Sequence, residues 1–169
     1  MIDAPGLVHF FAPWKEIYSN SPVVDTGVIF VHLAGILIGG GTALFTDRAT
    51  LQVRNGESEA ARAAAIELQE SHRVVVGSLV VVLISGIALA TSDLPTFLHA
   101  PLFAVKLAFV TLLVINGALL IRAERVFGEP SSGAERSDRT WKGVRRHARA
   151  SQVLWLCTLL AGTALANLT

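Results

Sequence analysis

The sequence predicts an all-α integral membrane protein, a four-helix bundle of up-down topology with both termini outside. Three observations predict it. Of 169 residues, 52% are hydrophobic and only 16% charged, with a mean hydropathy of +0.55; a soluble domain is nearer a quarter charged. The apolar residues gather into four runs at about 23–45, 74–92, 101–121 and 148–168, each close to the ~20 residues that cross a bilayer core as a helix. The basic residues are one-sided. Arg48, Arg54, Arg62 and Arg73 lie between the first and second runs, and Arg122, Arg125, Arg136, Arg139, Lys142, Arg145, Arg146 and Arg149 between the third and fourth. Only Lys15 and Lys106 of the 14 Lys and Arg remain for the other side. The positive-inside rule then places both long loops in the cytoplasm and both termini outside; the expected location of this multi-pass chain is the bacterial inner membrane.

Residues 1–22 read as an interfacial segment ahead of the bundle. They lack the basic start and small-residue cleavage site of a signal peptide, and Phe10, Phe11, Trp14 and Tyr18 suit the outer membrane interface. The first span carries His32, with Gly35, Gly39 and Thr42 on the same helical face. Gly35 and Gly39 form a GxxxG pair, which permits close helix packing in membranes. Residues 58–73, rich in strong helix formers, are expected to extend the second span into the cytoplasm. Residues 137–151 are expected to do the same for the fourth, with Ser137 or Asp138 as cap. Between them "GEPSSGAERSD", 128–138, reads as a loop. Outside, "TSDLPTFLHAP" reads as a short turn. The whole chain forms one domain.

Several functions are excluded or weakened by composition. A net charge of +1 gives no basis for a nucleic-acid partner. Cys157 is the only cysteine, so no internal disulfide, CxxC centre or thiolate zinc site can form. Met1 is the only methionine, which weakens a Cu(I) site built from soft ligands. "GGGTAL" is mid-helix with no preceding strand, so it is not a nucleotide fingerprint.

The histidines carry the functional reading, because an ionisable residue inside a span is a functional hypothesis by default. His32 lies 15 residues from Asp47 at the inner end, roughly 22 Å at 1.5 Å per residue. Small residues beside it leave room for a flat macrocycle. His72 precedes Ser92 by 20 residues, and His147 precedes Asn167 by the same 20. The two therefore stand at similar depth on diagonal helices, an arrangement suited to the two axial ligands of an inner haem b. Arg73, Arg145, Arg146 and Arg149 stand beside them, and guanidinium groups pair well with propionates. His99, at the outer end of the third span, and His32 are the expected ligands of an outer haem; His9 is a substitute ligand. The bland alternatives are a solvated boundary histidine for His72 and His147, a plain loop residue for His99, and lipid anchoring for the arginines. Lys106 has a snorkelling alternative, and Asn116 that of an interhelical hydrogen bond.

The stretches "VHLAGILIGGG", "SHRVVVGSLVVVLISGIAL" and "FLHAPLFAVKLAFVTLLVINGALLIR" resemble the copper-resistance CopD-like membrane domain. Its small four-helix relatives are similar in architecture to transmembrane di-haem cytochrome b proteins. The resemblance covers residues 31–122 and places His32, Lys106 and Asn116 at the recurring polar positions. It implies electron transfer through haem b, with one or two haems, or else copper handling. The expected function is thus that of a membrane b-type cytochrome-like electron carrier exchanging electrons with quinone or a redox protein. The alternatives are a copper transport or tolerance protein and a cofactor-free accessory subunit of a larger membrane complex. No nucleophile–base pair or paired carboxylate is expected within the spans, so an electron carrier or complex subunit is favoured over a stand-alone enzyme.

Overall fold

The computed structural model describes residues 4–54, 59–128 and 134–167. Among these residues the regular structure is all helical. α1 is Ala4–Asn20, α2 Pro22–Gln52, α3 Glu59–Ser92, α4 Leu94–His99, α5 Pro101–Gly128 and α6 Ala134–Ala166.

The breaks follow local chemistry. Ser21 is extended, its hydroxyl accepts from the Val24 amide at 3.4 Å, and Pro22 follows. This combination caps an N-terminus and presets its first turn. Ala100, held extended by the proline after it, separates α4 from α5. The outer turn therefore contains a short helix. α6 starts at Ala134, ahead of the expected cap, so Ser137 and Asp138 lie inside the helix. The expected loop at 128–138 narrows correspondingly, and residues 129–133 lie outside the described ones. α3 runs unbroken from Glu59 to Ser92.

α2, α3 and the 101–127 part of α5 are long and apolar enough to cross a membrane. α6 is not among them. Its charged residues run up to Arg149, and what remains before Ala166 falls short of the ~20 residues of a full crossing. Large apolar side chains point outward along these helices, including Leu37 at 75%, Ile84 at 64% and Leu160 at 70% exposure. Apolar exposure on this scale requires a covering surface such as lipid.

α2 packs along α3, α5 along α6, and α2 against α6 joins the pairs. The α2–α3 seam is read from three contacts: Thr46 with Ser71, Gly39 with Ser78, and His32 with Ser85. The numbers rise on one helix as they fall on the other, so the helices are antiparallel. Glycine sets their separation. A Cβ on Gly39 would lie 2.6 Å from Ser78 Cβ, and one on Gly35 2.8 Å from Val82 Cγ2. Gly40 lies against the Trp155 ring of α6, 3.1 Å from where its Cβ would be. A side chain at Gly39 or Gly35 would require α3 or its side chains to shift, and one at Gly40 would press on the Trp155 ring.

Two apolar clusters fill the interior. Trp141, with no exposed surface, packs with Ala61, Ala64, Leu68, Leu120 and Val144. Ala43, Leu113 and Trp155 form the other. The Trp141 indole donates to the Val53 carbonyl at 3.0 Å, and Arg145 Nη2 to the Leu51 carbonyl at 3.2 Å. These bonds satisfy carbonyls at the C-terminal end of α2 that no helical amide reaches. α1 is tied to α3 by the Trp14 indole, which donates to the Ala88 carbonyl at 2.9 Å.

A candidate proton-exchange site

The buried face of α2 comprises Gly39, Gly40, Ala43, Thr46, Asp47 and Thr50. Helical periodicity therefore carries the glycine seam directly into an acid. α5 does likewise: Leu113, Asn116, Leu120 and Glu124 are its buried positions. Asp47 is 1% exposed and Glu124 8%. The two carboxylates come together around His72 of α3.

His72 Nδ1 lies 3.2 Å from Glu124 Oε2, and Asp47 is within electrostatic reach of both. The Ser151 hydroxyl of α6 stands close enough to the Asp47 carboxylate to favour its charge. Four helices thus contribute to one polar centre. Thr46, Thr50 and Ser71 border it, and each donates its own proton to a carbonyl of its own helix at 2.7–3.0 Å. Asp47 Oδ2 and Glu124 Oε1 are buried with no hydrogen-bond partner.

Burying one ionised carboxylate is costly, and burying two around one imidazole is more so. Protons are the smallest species that relieve this, and neighbouring acids that share them titrate as a unit. Among the described residues no group of three or more His, Cys, Asp or Glu is arranged to hold a metal ion.

The expected ligand histidines are each engaged by a protein neighbour of their own. His32, 7% exposed, places Nδ1 2.9 Å from Ser85 Oγ. Its ring lies against Gly86, 3.2 Å from where a Cβ would be. His147 Nδ1 is 3.0 Å from Asn116 Oδ1. His99 is exposed on α4, with Nδ1 2.7 Å from the Pro95 carbonyl. His9 is exposed on α1. Lys106 of α5 is in electrostatic reach of His32, with its amine beside Gly162.

These contacts decide how the residues fit a haem. The glycine face beside His32 is filled by Val82, Ser78 and Trp155, so the space expected there for a macrocycle is taken by protein. The outer donor set does not fit. His72 and His147 fit better in donor chemistry: Nδ1 of each is held by Glu124 or Asn116, and among the described residues no contact engages Nε2. Metal-bound histidines are commonly oriented in this way. Of the expected propionate partners, Arg73, Arg146 and Arg149 are exposed, while Arg145 is partly engaged at the end of α2.

The sequence reading missed Glu124 and Ser151 and used Asp47 only to mark depth. Asp47 had a findable signal, since it lies seven residues after Gly40 on the same face. Comparison with known protein families, curated proteins and solved structures finds no match.

Proposed function

We propose that the chain is a multi-pass protein of the bacterial inner membrane that takes up and releases protons at Asp47, His72 and Glu124. In this reading α2, α3, α5 and α6 form an up-down four-helix bundle with both termini outside, and α6 completes the fourth crossing only by carrying its cations up to Arg149 at headgroup depth. The carrying observation is the pair of buried, unpartnered carboxylate oxygens around one imidazole. Asp47 Oδ2 and Glu124 Oε1 are the oxygens offered to the protons. The His72 imidazole stands beside Glu124 as the link between the two acids, and Ser151 lies beside the Asp47 carboxylate.

Infrared difference spectroscopy of the reconstituted protein, stepped in pH, tests this. A carboxylic-acid band that shifts in heavy water is expected, and it weakens in both Asp47→Asn and Glu124→Gln. A spectrum without such a band at any pH ends the proposal.

A second reading is favoured by the anchored Nδ1 of His72 and of His147, which leaves Nε2 of each as the ligating nitrogen. They would hold one haem b, with Arg73, Arg145, Arg146 and Arg149 as propionate partners and a quinone or redox protein exchanging electrons. This extends the resemblance of residues 31–122 to the CopD-like domain. Bound haem would supply one-electron redox chemistry, and the chain would set orientation through Glu124 and Asn116. A reduced-minus-oxidised visible spectrum of protein expressed with ample haem distinguishes the readings. Sharp bands that disappear in His147→Ala support electron transfer; a flat spectrum rules it out.

A further inference from the structure

α6 carries a groove of about 550 Å3 lined by Lys142, Arg145, Arg146, Arg149, Ala150, Val153 and Leu154. The spacing is that of one helical face. It changes character along the axis, with cations in its first two turns and apolar side chains after Arg149. Lys142 is paired with Asp138 at 2.6 Å. Among the described residues Arg145, Arg146 and Arg149 have no acid partner; Arg145 Nη2 donates to the Leu51 carbonyl at 3.2 Å, and its Nε is buried without a hydrogen bond. Val153 is 55% exposed, and Leu156 and Leu160 continue the apolar surface at 55% and 70%.

The geometry points to a binding groove for one anionic phospholipid. Its phosphate lies among Arg145, Arg146 and Arg149, and an acyl chain runs along Val153 and Leu154. Guanidinium groups are complementary to a phosphodiester, which they bind through paired N–H donors; Arg146 and Arg149 are exposed for this, and Arg145 keeps the donors that Leu51 does not take. From Arg146 to Leu154 the helix rises roughly 12 Å, enough to pass from headgroup depth into hydrocarbon. A peptide partner would meet the charges equally well, but the apolar half faces where α2, α3 and α5 also present apolar side chains to the surroundings. The proposal rests on the chain lying in a membrane and is independent of the proton site.

The full-length protein is purified in mild detergent, supplied with phosphatidylglycerol or phosphatidylcholine, and examined by native mass spectrometry. Preferential retention of phosphatidylglycerol is expected. The double variant Arg146→Gln/Arg149→Gln changes two exposed side chains and should weaken that retention roughly thirtyfold, from two lost basic contacts. Arg73→Gln/Arg122→Gln removes two exposed basic residues elsewhere and should leave retention within about twofold. Equal retention of the two lipids overturns the groove. So does an equal loss in the control variant, which would assign the effect to overall charge.

Discussion

Asn116 and His147 hold each other by two hydrogen bonds: the Asn116 amide donates to the His147 carbonyl, and His147 Nδ1 donates to Asn116 Oδ1, both at 3.0 Å. The pair locks α5 to α6 without any apolar contribution. Interhelical bonds in membranes average ~0.6 kcal/mol, so Asn116→Leu should cost roughly 1 kcal/mol of stability. A double-mutant cycle with His147→Phe checks it. His147→Phe keeps the backbone carbonyl, so strict additivity of the two changes would show that the side-chain bond carries no coupling.

The glycine seam gives a prediction of sharply different outcomes at neighbouring positions. A Cβ at Gly39 would collide with Ser78, whereas Gly41 has open space. Gly39→Ala should cost ~1–3 kcal/mol through overpacking, and Gly41→Ala should be neutral or slightly stabilising. Ser78→Gly should restore part of the Gly39→Ala loss. Equal effects at both glycines would refute the seam as the determinant of α2–α3 spacing.

Trp141 tests the apolar cluster at the end where basic residues collect. It is fully buried and donates to the Val53 carbonyl. Trp141→Ala should cost ~3–5 kcal/mol. Trp141→Phe keeps most of the packing and loses the bond, so its cost should be near 1–3 kcal/mol, about that of an orphaned carbonyl. Unfolding measured in mixed detergent separates the two. A phenylalanine variant as damaged as the alanine one would assign the whole effect to the hydrogen bond.

Tyr18 offers a clean titration because it is the only tyrosine. Burial on α1, then a hydrogen bond to Asp25 and the charge of that carboxylate, push its phenol from 10.0 up to about 12. All three causes disfavour the phenolate. The folded value lies above the unfolded one, so the associated stability is intact below pH ~10 and is lost as pH rises toward ~12. Ultraviolet titration of the folded protein should show the late transition, and Asp25→Asn should move it down. A transition at the ordinary tyrosine value would mean that α1 does not dock as described.

Several elements could be read from residue order. Ser21–Pro22 marks the start of α2, and the long apolar runs mark three helices fit to cross a membrane. The GxxxG pair announced close packing, and the structure uses it for that. The cap expected at Ser137 was misplaced because α6 continues one turn further toward its N-terminus. Nothing at Ser137 forbids helix on its N-terminal side.

By itself, the sequence determined an all-helical chain with three helices fit to cross a membrane, most of its cations in two stretches between the apolar runs, and histidines on particular helix faces. Such properties follow from local propensity and from a period of 3.6 residues. Tertiary structure alone decided what each face meets. Glu124 pairs with His72 across 52 residues of chain, Ser151 reaches Asp47, and His147 takes Asn116 as its partner. A helical period fixes where a side chain points around its own axis, but not which helix is packed there or at what register. Those are set by the close approach at Gly35, Gly39 and Gly40, and by the bulk of Trp141 and Trp155, acting together once the helices have assembled.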